Sequence, residues 1–209
     1  LLNKTFVMKN LKFVFIALIF TVLLAACVPS LHPLYTEKDL VFDKELVGTW
    51  ETEGQIWDFN SVDDKYYKLV YTDNSEKSSD GNNGIGSLFT GSAGTSAKFE
   101  AHLVKLGENY YLDLYPEDFL KNENTLLMLH IVPCHTFMKV KIENNKFNYQ
   151  MFNGEWFQEL VAKSPEILSH ENIDGSVLIT ASTAELQKFI IDYSENDKLF
   201  EDVEILSKK

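Results

Sequence analysis

The sequence predicts a mainly β fold: an antiparallel meander, as a curled sheet or an up-and-down barrel, with two helices near the C-terminus. Three observations carry this. Between residues 45 and 152 apolar residues alternate with polar ones over short runs, the period of a half-buried strand. Most runs are separated by tight-turn residues such as Asp63-Asp64, Gly107-Glu108-Asn109 and Asn144-Asn145. After Phe152 the period changes to three and four.

Taken in order, Glu45 to Thr52 reads as a first strand, with Leu46, Val47 and Trp50, and Ile56 to Val62 as a second, with Trp57 and Phe59. Lys65 to Thr72 places Tyr67, Leu69 and Tyr71 on one face, and Ala97 to Leu106 does the same for Phe99, Ala101 and Leu103. Tyr110 to Tyr115 aligns Tyr110, Leu112 and Leu114. Leu127 to Val132 and Thr136 to Glu143 follow around Pro133, then Lys146 to Phe152 with Phe147, Tyr149 and Met151. That makes about eight strands, the number of a small closed barrel.

Asn153 caps a helix from Gly154 to about Lys163, with Trp156, Phe157 and Leu160 on one face. Ser176 to Thr180 returns to strand. Ser182 and Glu185 form a capping box that opens a second helix carrying Leu186, Phe189, Ile190 and Tyr193. These are core-facing positions. The stretch from Asn74 to Ser96 is rich in Gly, Ser and Asn and reads as a flexible loop. It has neither a phosphate-loop Gly-Lys-Ser/Thr nor EF-hand ligand spacing.

The N-terminus has a different organisation. Met8 reads as the translation start, followed by Lys9 and Lys12, an apolar run from Phe13 to Leu24 broken only by Thr21, and then Ala25, Ala26 and Cys27. A positive start, a short apolar core and small residues before a cut site define a secretory signal peptide. A membrane-spanning helix needs about 20 apolar residues, and Pro29 interrupts this run too early.

Leu24-Ala25-Ala26-Cys27 resembles the lipobox of bacterial lipoproteins. The resemblance implies cleavage between Ala26 and Cys27, diacylglyceryl attachment at Cys27 and a lipid-held mature protein. Val28 rather than Asp follows the Cys; by the same resemblance this implies the outer membrane, facing the periplasm, in a Gram-negative host. The run from Cys27 to Tyr35 is similar to the start of uncharacterised envelope lipoproteins, which brings no activity with it. The expected organisation is therefore a signal peptide over 1–26, a lipidated tether and lead-in over 27–43, and a single β-rich domain over 44–209. His32-Pro33-Leu34-Tyr35 is expected to lie extended on that domain.

Gly48-x-Trp50 in the first strand resembles the G-x-W motif of lipocalins, where Trp plugs one end of a small β-barrel. The resemblance implies a lipocalin-like barrel. The lipocalin pattern also packs a late-strand Arg over that Trp, and this chain has no arginine.

Charge narrows the partner classes. The formal net charge is −12, and removing residues 1–26 takes away three lysines and no acid, giving −15. Without Arg forks or a basic excess, nucleic acid and anionic lipid headgroups are poor partner candidates, and no nucleic-acid partner is expected. With Cys27 lipidated, Cys134 remains as a lone thiol with no intrachain disulfide partner.

Catalytic constellations are absent from the pattern, and no cofactor or metal site is expected. His130, Cys134 and His135 form the densest cluster. On a strand, neighbouring side chains point to opposite faces, and residues four apart are separated by about 13 Å. The cluster therefore reads as a structural Cys and hydrogen-bonded His residues. Asp63-Asp64 and Glu117-Asp118 fall at predicted turns.

Two function classes follow. The first is a non-catalytic envelope interaction module that meets a protein partner through outward aromatics such as Tyr111, Tyr115 and Phe152. The alternative is a binder of a small apolar ligand, lined by Trp57, Tyr67, Tyr71, Phe99, Leu103 and Tyr110.

Overall fold

Seven strands follow one another as an antiparallel meander, and an eighth, far along the chain, closes it into a barrel. The computed structural model describes residues 28–74, 95–117, 126 and 130–209. The strands are β1 (Gly48–Thr52), β2 (Gln55–Ser61), β3 (Tyr67–Asp73), β4 (Thr95–Leu106), β5 (Asn109–Pro116), β6 (Thr136–Glu143) and β7 (Lys146–Met151). The chain then leaves the sheet through α1 (Gly154–Lys163), the hairpin β8 (His170–Ile173) with β9 (Ser176–Ile179), and α2 (Thr183–Asp192). It returns as β10 (Glu204–Lys208), which pairs antiparallel with both β7 and β1. The predicted fold class, a mainly β barrel with two helices after the meander, is the one observed.

Tight turns set the register. Asn144 and Asn145 both take positive φ, 54° and 58°, as a two-residue hairpin with the twist of its flanking strands requires. Asp174-Gly175 does the same between β8 and β9, with φ of 50° and 86°.

Period two sorts the side chains into two cores. One face of the strands fills the barrel with Leu46, Trp50, Trp57, Phe59, Tyr67, Leu69, Leu103, Leu112, Met138, Phe147 and Leu206, among others. The opposite face of β4, β5 and the start of β6 presents Val104, Leu106, Tyr111 and Phe137 to a second core. That core is completed by Phe157 and Val161 of α1, Val177 and Ile179 of β9, and Leu186, Phe189 and Ile190 of α2. Tyr111 and Phe152, expected as exposed contacts, are therefore covered by the chain's own helical layer, while Tyr115 is half-buried against His135.

Both helices begin as their sequences require. The Asn153 side chain accepts the Trp156 amide proton at 3.0 Å. Ser182 and Glu185 complete the capping box, with Glu185 Oε2 2.9 Å from the Ser182 amide.

Two expectations are corrected. Leu127 to Val132 does not supply a barrel strand as far as it is described: residues 127–129 lie outside the described residues, and 130–132 are turn and irregular. Its place as the eighth strand is taken by β10, which the pattern did not reveal. The Gly-rich stretch lies mostly outside the described residues, and β4 begins at Thr95, two residues earlier than expected.

The segment before β1 belongs to the folded body. Pro29 to Leu31 sits between β9 and the start of β6. The Ser30 amide donates to the His135 carbonyl (2.9 Å), the His135 amide to Ser30 (2.8 Å), the Ile179 amide to Pro29 (2.9 Å) and the Leu31 amide to Ile179 (2.9 Å). The chain then runs back across β5 and β4, where the Val41 amide donates to the Leu103 carbonyl at 2.9 Å, and enters β1. Val28, Ser30 and Leu34 are buried, so residues 28–43 form a docked strap with no free-standing stalk.

Gly48 and Trp50 lie at the barrel end where β1 begins. Trp50 is buried and its Nε1 donates to the Leu46 carbonyl at 2.8 Å. Opposite it on β10 stands Lys208, whose ammonium lies 4.8 Å from the centre of the Trp50 ring system. A lysine of the closing strand thus packs over the buried Trp50 ring.

Candidate functional site

The residues expected to line a ligand cavity do face the barrel interior, but most of them fill it. Trp57, Tyr67 and Leu103 are buried in the packed core, and Tyr71 and Phe99 pack against it half-exposed. Phe147 lies centrally, with ring centroids 5.8 Å from Trp50, 5.8 Å from Phe59 and 6.0 Å from Trp57. Trp57 continues the cluster to Tyr149 at 5.1 Å and Tyr71 at 5.6 Å. Offset and edge-to-face rings at these spacings are in close contact. The Tyr149 hydroxyl donates to Glu204 Oε2 at 2.5 Å, and burial pushes its pKa well above the usual tyrosine value, reinforced by that hydrogen-bonded carboxylate.

Tyr110 differs from the other five. It continues the inward face of Leu112 and Leu114 but stands at the barrel end, 41% exposed. There it borders an open hollow of about 430 Å³. Leu103, Tyr110, Val140 and Ile142 form the apolar wall, and Asp43, Glu108, Asn109, Lys139 and Lys141 supply polar groups. The Lys105 ammonium lies 5.5 Å from the Tyr110 ring centre. Phe42, whose ring stacks on Tyr67 at 5.1 Å, and Val62 are also exposed at this end. A second, smaller groove of about 300 Å³ lies around Lys139, Lys141, Asn148, Gln150 and Val203.

His130, Cys134 and His135 do not assemble into a site. His130 is exposed. The Cys134 thiol is half-buried, 3.5 Å from the Val132 carbonyl, and burial pushes its pKa up. The His135 ring turns to Asp113, with Nδ1 2.7 Å from Oδ1. Among the described residues no group of three or more His, Cys, Asp or Glu side chains is arranged to hold a metal ion.

The Asp113 pair belongs to a polar cluster beneath the strap. Asp113 is fully buried and its Oδ2 accepts the Leu34 amide proton at 2.8 Å. Its cross-strand neighbour His102 lies between the rings of Tyr35 (4.4 Å) and Tyr66 (5.5 Å), with Nε2 3.3 Å from the Tyr35 hydroxyl. His102 Nδ1 is buried without a protein partner among the described residues. Burial lowers the His102 pKa, against the opposing pull of Asp113. Sequence reading missed this cluster, because an Asp between two inward leucines has the pattern of a solvent-facing position.

Ala26 and Cys27 lie outside the described residues; the strap that follows them begins with buried Val28. Among the described residues no helix is long and apolar enough to cross a membrane. No family model matches the chain, and no curated protein and no solved structure matches it.

Proposed function

We propose that the chain is a lipid-anchored lipoprotein of the bacterial envelope, held through Cys27, which acts as a non-catalytic interaction module. Its partner is a protein that docks at the barrel mouth bordered by Tyr110. The supporting observation is the contrast between the barrel's two parts. Aromatic rings occupy much of the interior, whereas the open hollow is at the mouth and exposed Phe42, Val62 and Tyr110 lie at that end. Partly exposed aromatic groups beside a concave surface suit protein recognition. The position of Val28 after the Cys supports the outer membrane as the site of anchoring.

A photo-crosslinking residue in place of Tyr110, in whole cells, tests this. A discrete adduct from Tyr110, absent when the crosslinker replaces Lys188 on α2, is the expected result. Recovery of the uncrosslinked monomer from Phe42, Val62 and Tyr110 positions alike overturns the reading.

The volume of the mouth hollow favours one further reading, a small apolar ligand, because ligand sites span roughly 300–1,000 Å³. Titration of Trp fluorescence with fatty acids discriminates the two. A saturable response lost in Tyr110→Ala supports the ligand, and a flat response across ligand classes removes it.

A further inference from the structure

The strap is held differently at its ends and in its middle. From Pro29 to Leu31, and again at Val41, backbone hydrogen bonds tie it to the body, through His135 and Ile179 at one end and Leu103 at the other. Between these ends side chains take over. Thr183 Oγ1 donates to the Pro33 carbonyl at 2.9 Å, and Gln187 Nε2 donates to the Leu34 carbonyl at 2.9 Å and to Asp39 Oδ2 at 2.8 Å. Asp113 Oδ2 accepts the Leu34 amide proton, and the Tyr35 ring closes over His102. The middle of the strap therefore parts from the body without breaking the backbone bonds at either end.

His102 is the weak point of that hold. It is 8% exposed, stacked between Tyr35 and Tyr66, with Nε2 3.3 Å from the Tyr35 hydroxyl. Its Nδ1 has no hydrogen-bond partner among the described residues. A neutral imidazole tolerates one bare acceptor nitrogen there, but the cation carries a proton on both nitrogens. A charged, buried N–H without an acceptor is costly. The groups facing His102 are Tyr35 from the strap, Tyr66 and Asp63 from the β2–β3 connection, Glu100 from its own strand β4, Asp113 from β5 and His135 from β6. Burial outweighs the pull of Asp113, Glu100 and Asp63 toward the cation, and His135 acts in the same direction as burial. Asp113, the cross-strand partner of His102, has both oxygens engaged, Oδ1 by His135 and Oδ2 by Leu34.

We propose that the stack of Tyr35, His102 and Tyr66 is an acid-operated latch: a proton on His102 opens the middle of the strap, residues 32–39, while its ends and the barrel stay in place. Opening brings the imidazole into water and back to its ordinary value of 6.5, above its value under the closed strap. The open form therefore binds the proton first. As the pH falls below 6.5 the balance moves toward the open strap, by at most about tenfold per pH unit for one proton. Above 6.5 the imidazole is neutral in both forms and the strap stays closed. Opening uncovers Asp113, Thr183 and Gln187, the side chains that hold the backbone of Pro33 and Leu34, together with the buried place of the Leu34 side chain.

Hydrogen exchange of the full chain tests this, read by NMR at the Leu34 amide and at barrel amides such as Leu112 and Val140. Each rate is divided by that of an unstructured chain at the same pH, so that the protection reports the opening equilibrium. Between about pH 7.5 and about pH 5.5, Leu34 protection is expected to fall several-fold while the barrel amides keep theirs. His102→Gln, which does not titrate, is expected to remove the pH dependence at Leu34, whatever its protection at pH 7.5. Constant protection at Leu34 in the native chain overturns the latch, and so does a parallel fall in the barrel amides, which is global loosening. An equal fall in His102→Gln assigns the proton to another group and overturns it too. Should His102→Gln not fold, His102→Phe makes the same comparison.

Discussion

Lys208 covers Trp50: its ammonium sits 4.8 Å from the ring centre and donates to the Glu45 carbonyl at 2.7 Å. One side chain thereby links the last strand of the barrel, the plug of its first strand and the loop leading into it. Lys208→Met keeps most of the aliphatic stem but loses the cation–π contact and the hydrogen bond. A loss of about 1 kcal/mol is expected, read as a lower urea midpoint with unchanged slope. Lys208→Arg is expected to remain close to the native value.

Gly48→Ala is expected to cost more. Gly48 has φ of +122°, which L side chains rarely adopt, and a Cβ there would lie 3.3 Å from Lys208 Cε. Backbone strain of about 1–3 kcal/mol is expected. Combining Gly48→Ala with Lys208→Ala removes the crowding and leaves the strain. A double-mutant cycle by urea unfolding should therefore show non-additivity between the two sites.

Asp113→Ala frees the strap. The substitution removes the acceptor for the Leu34 amide and the partner of His135 in a fully buried place. About 3 kcal/mol is the expected loss. Limited proteolysis should then cut between residues 28 and 40 before the barrel. Asp113→Asn retains an acceptor for Leu34 and is expected to protect the strap in part.

Stability should fall at both pH extremes, for separable reasons. Burial raises Tyr35, Tyr67 and Tyr111 to about 12 from the ordinary 10.0. The unfolded chain therefore releases these protons first. Their contribution is whole below pH 10 and is lost between pH 10 and about 12. His102 is shifted the other way, below 6.5, by burial. The unfolded chain binds that proton more readily, so stability is whole above pH 6.5 and declines as the pH falls below it. Melting temperatures across pH should show both limbs, and His102→Phe should flatten the acid one.

Cys134 should react slowly. Burial raises its thiol pKa, and His135 is engaged with Asp113. The rate with a disulfide reagent at pH 7 is expected to be about tenfold or more below that of the urea-unfolded chain, because the thiolate is the reacting species. A faster reaction in the folded protein would contradict the structural reading of Cys134.

Legibility followed local signal strength. Strands β1 to β7 carry alternating apolar residues between turn residues, and both helices carry cap residues at their first turn, so the local code names them. β10 is Glu-Ile-Leu-Ser-Lys, with Leu206 as its one buried side chain, and nothing in that run sets it apart from a solvated tail. Missing β10 hid Lys208 as well, and with it the cation that covers Trp50. The inward set from Trp57 to Tyr110 was legible as a face, because period two fixes direction. Whether that face fills the barrel depends on ring packing across strands distant in sequence. The strap and the Asp113 cluster depend on the same long-range contacts.

The position of β10 between β7 and β1 also sets an order of events. Fifty-two residues separate Met151 from Glu204, so the bond rows that finish the barrel belong to its slowest loop closure. Until β10 arrives, β1 and β7 are open edges able to pair with other chains. A growing chain therefore has no closed barrel before β10 has emerged. Loss of residues 204–209 would leave two unpaired edges, and the failure expected of such a chain is aggregation.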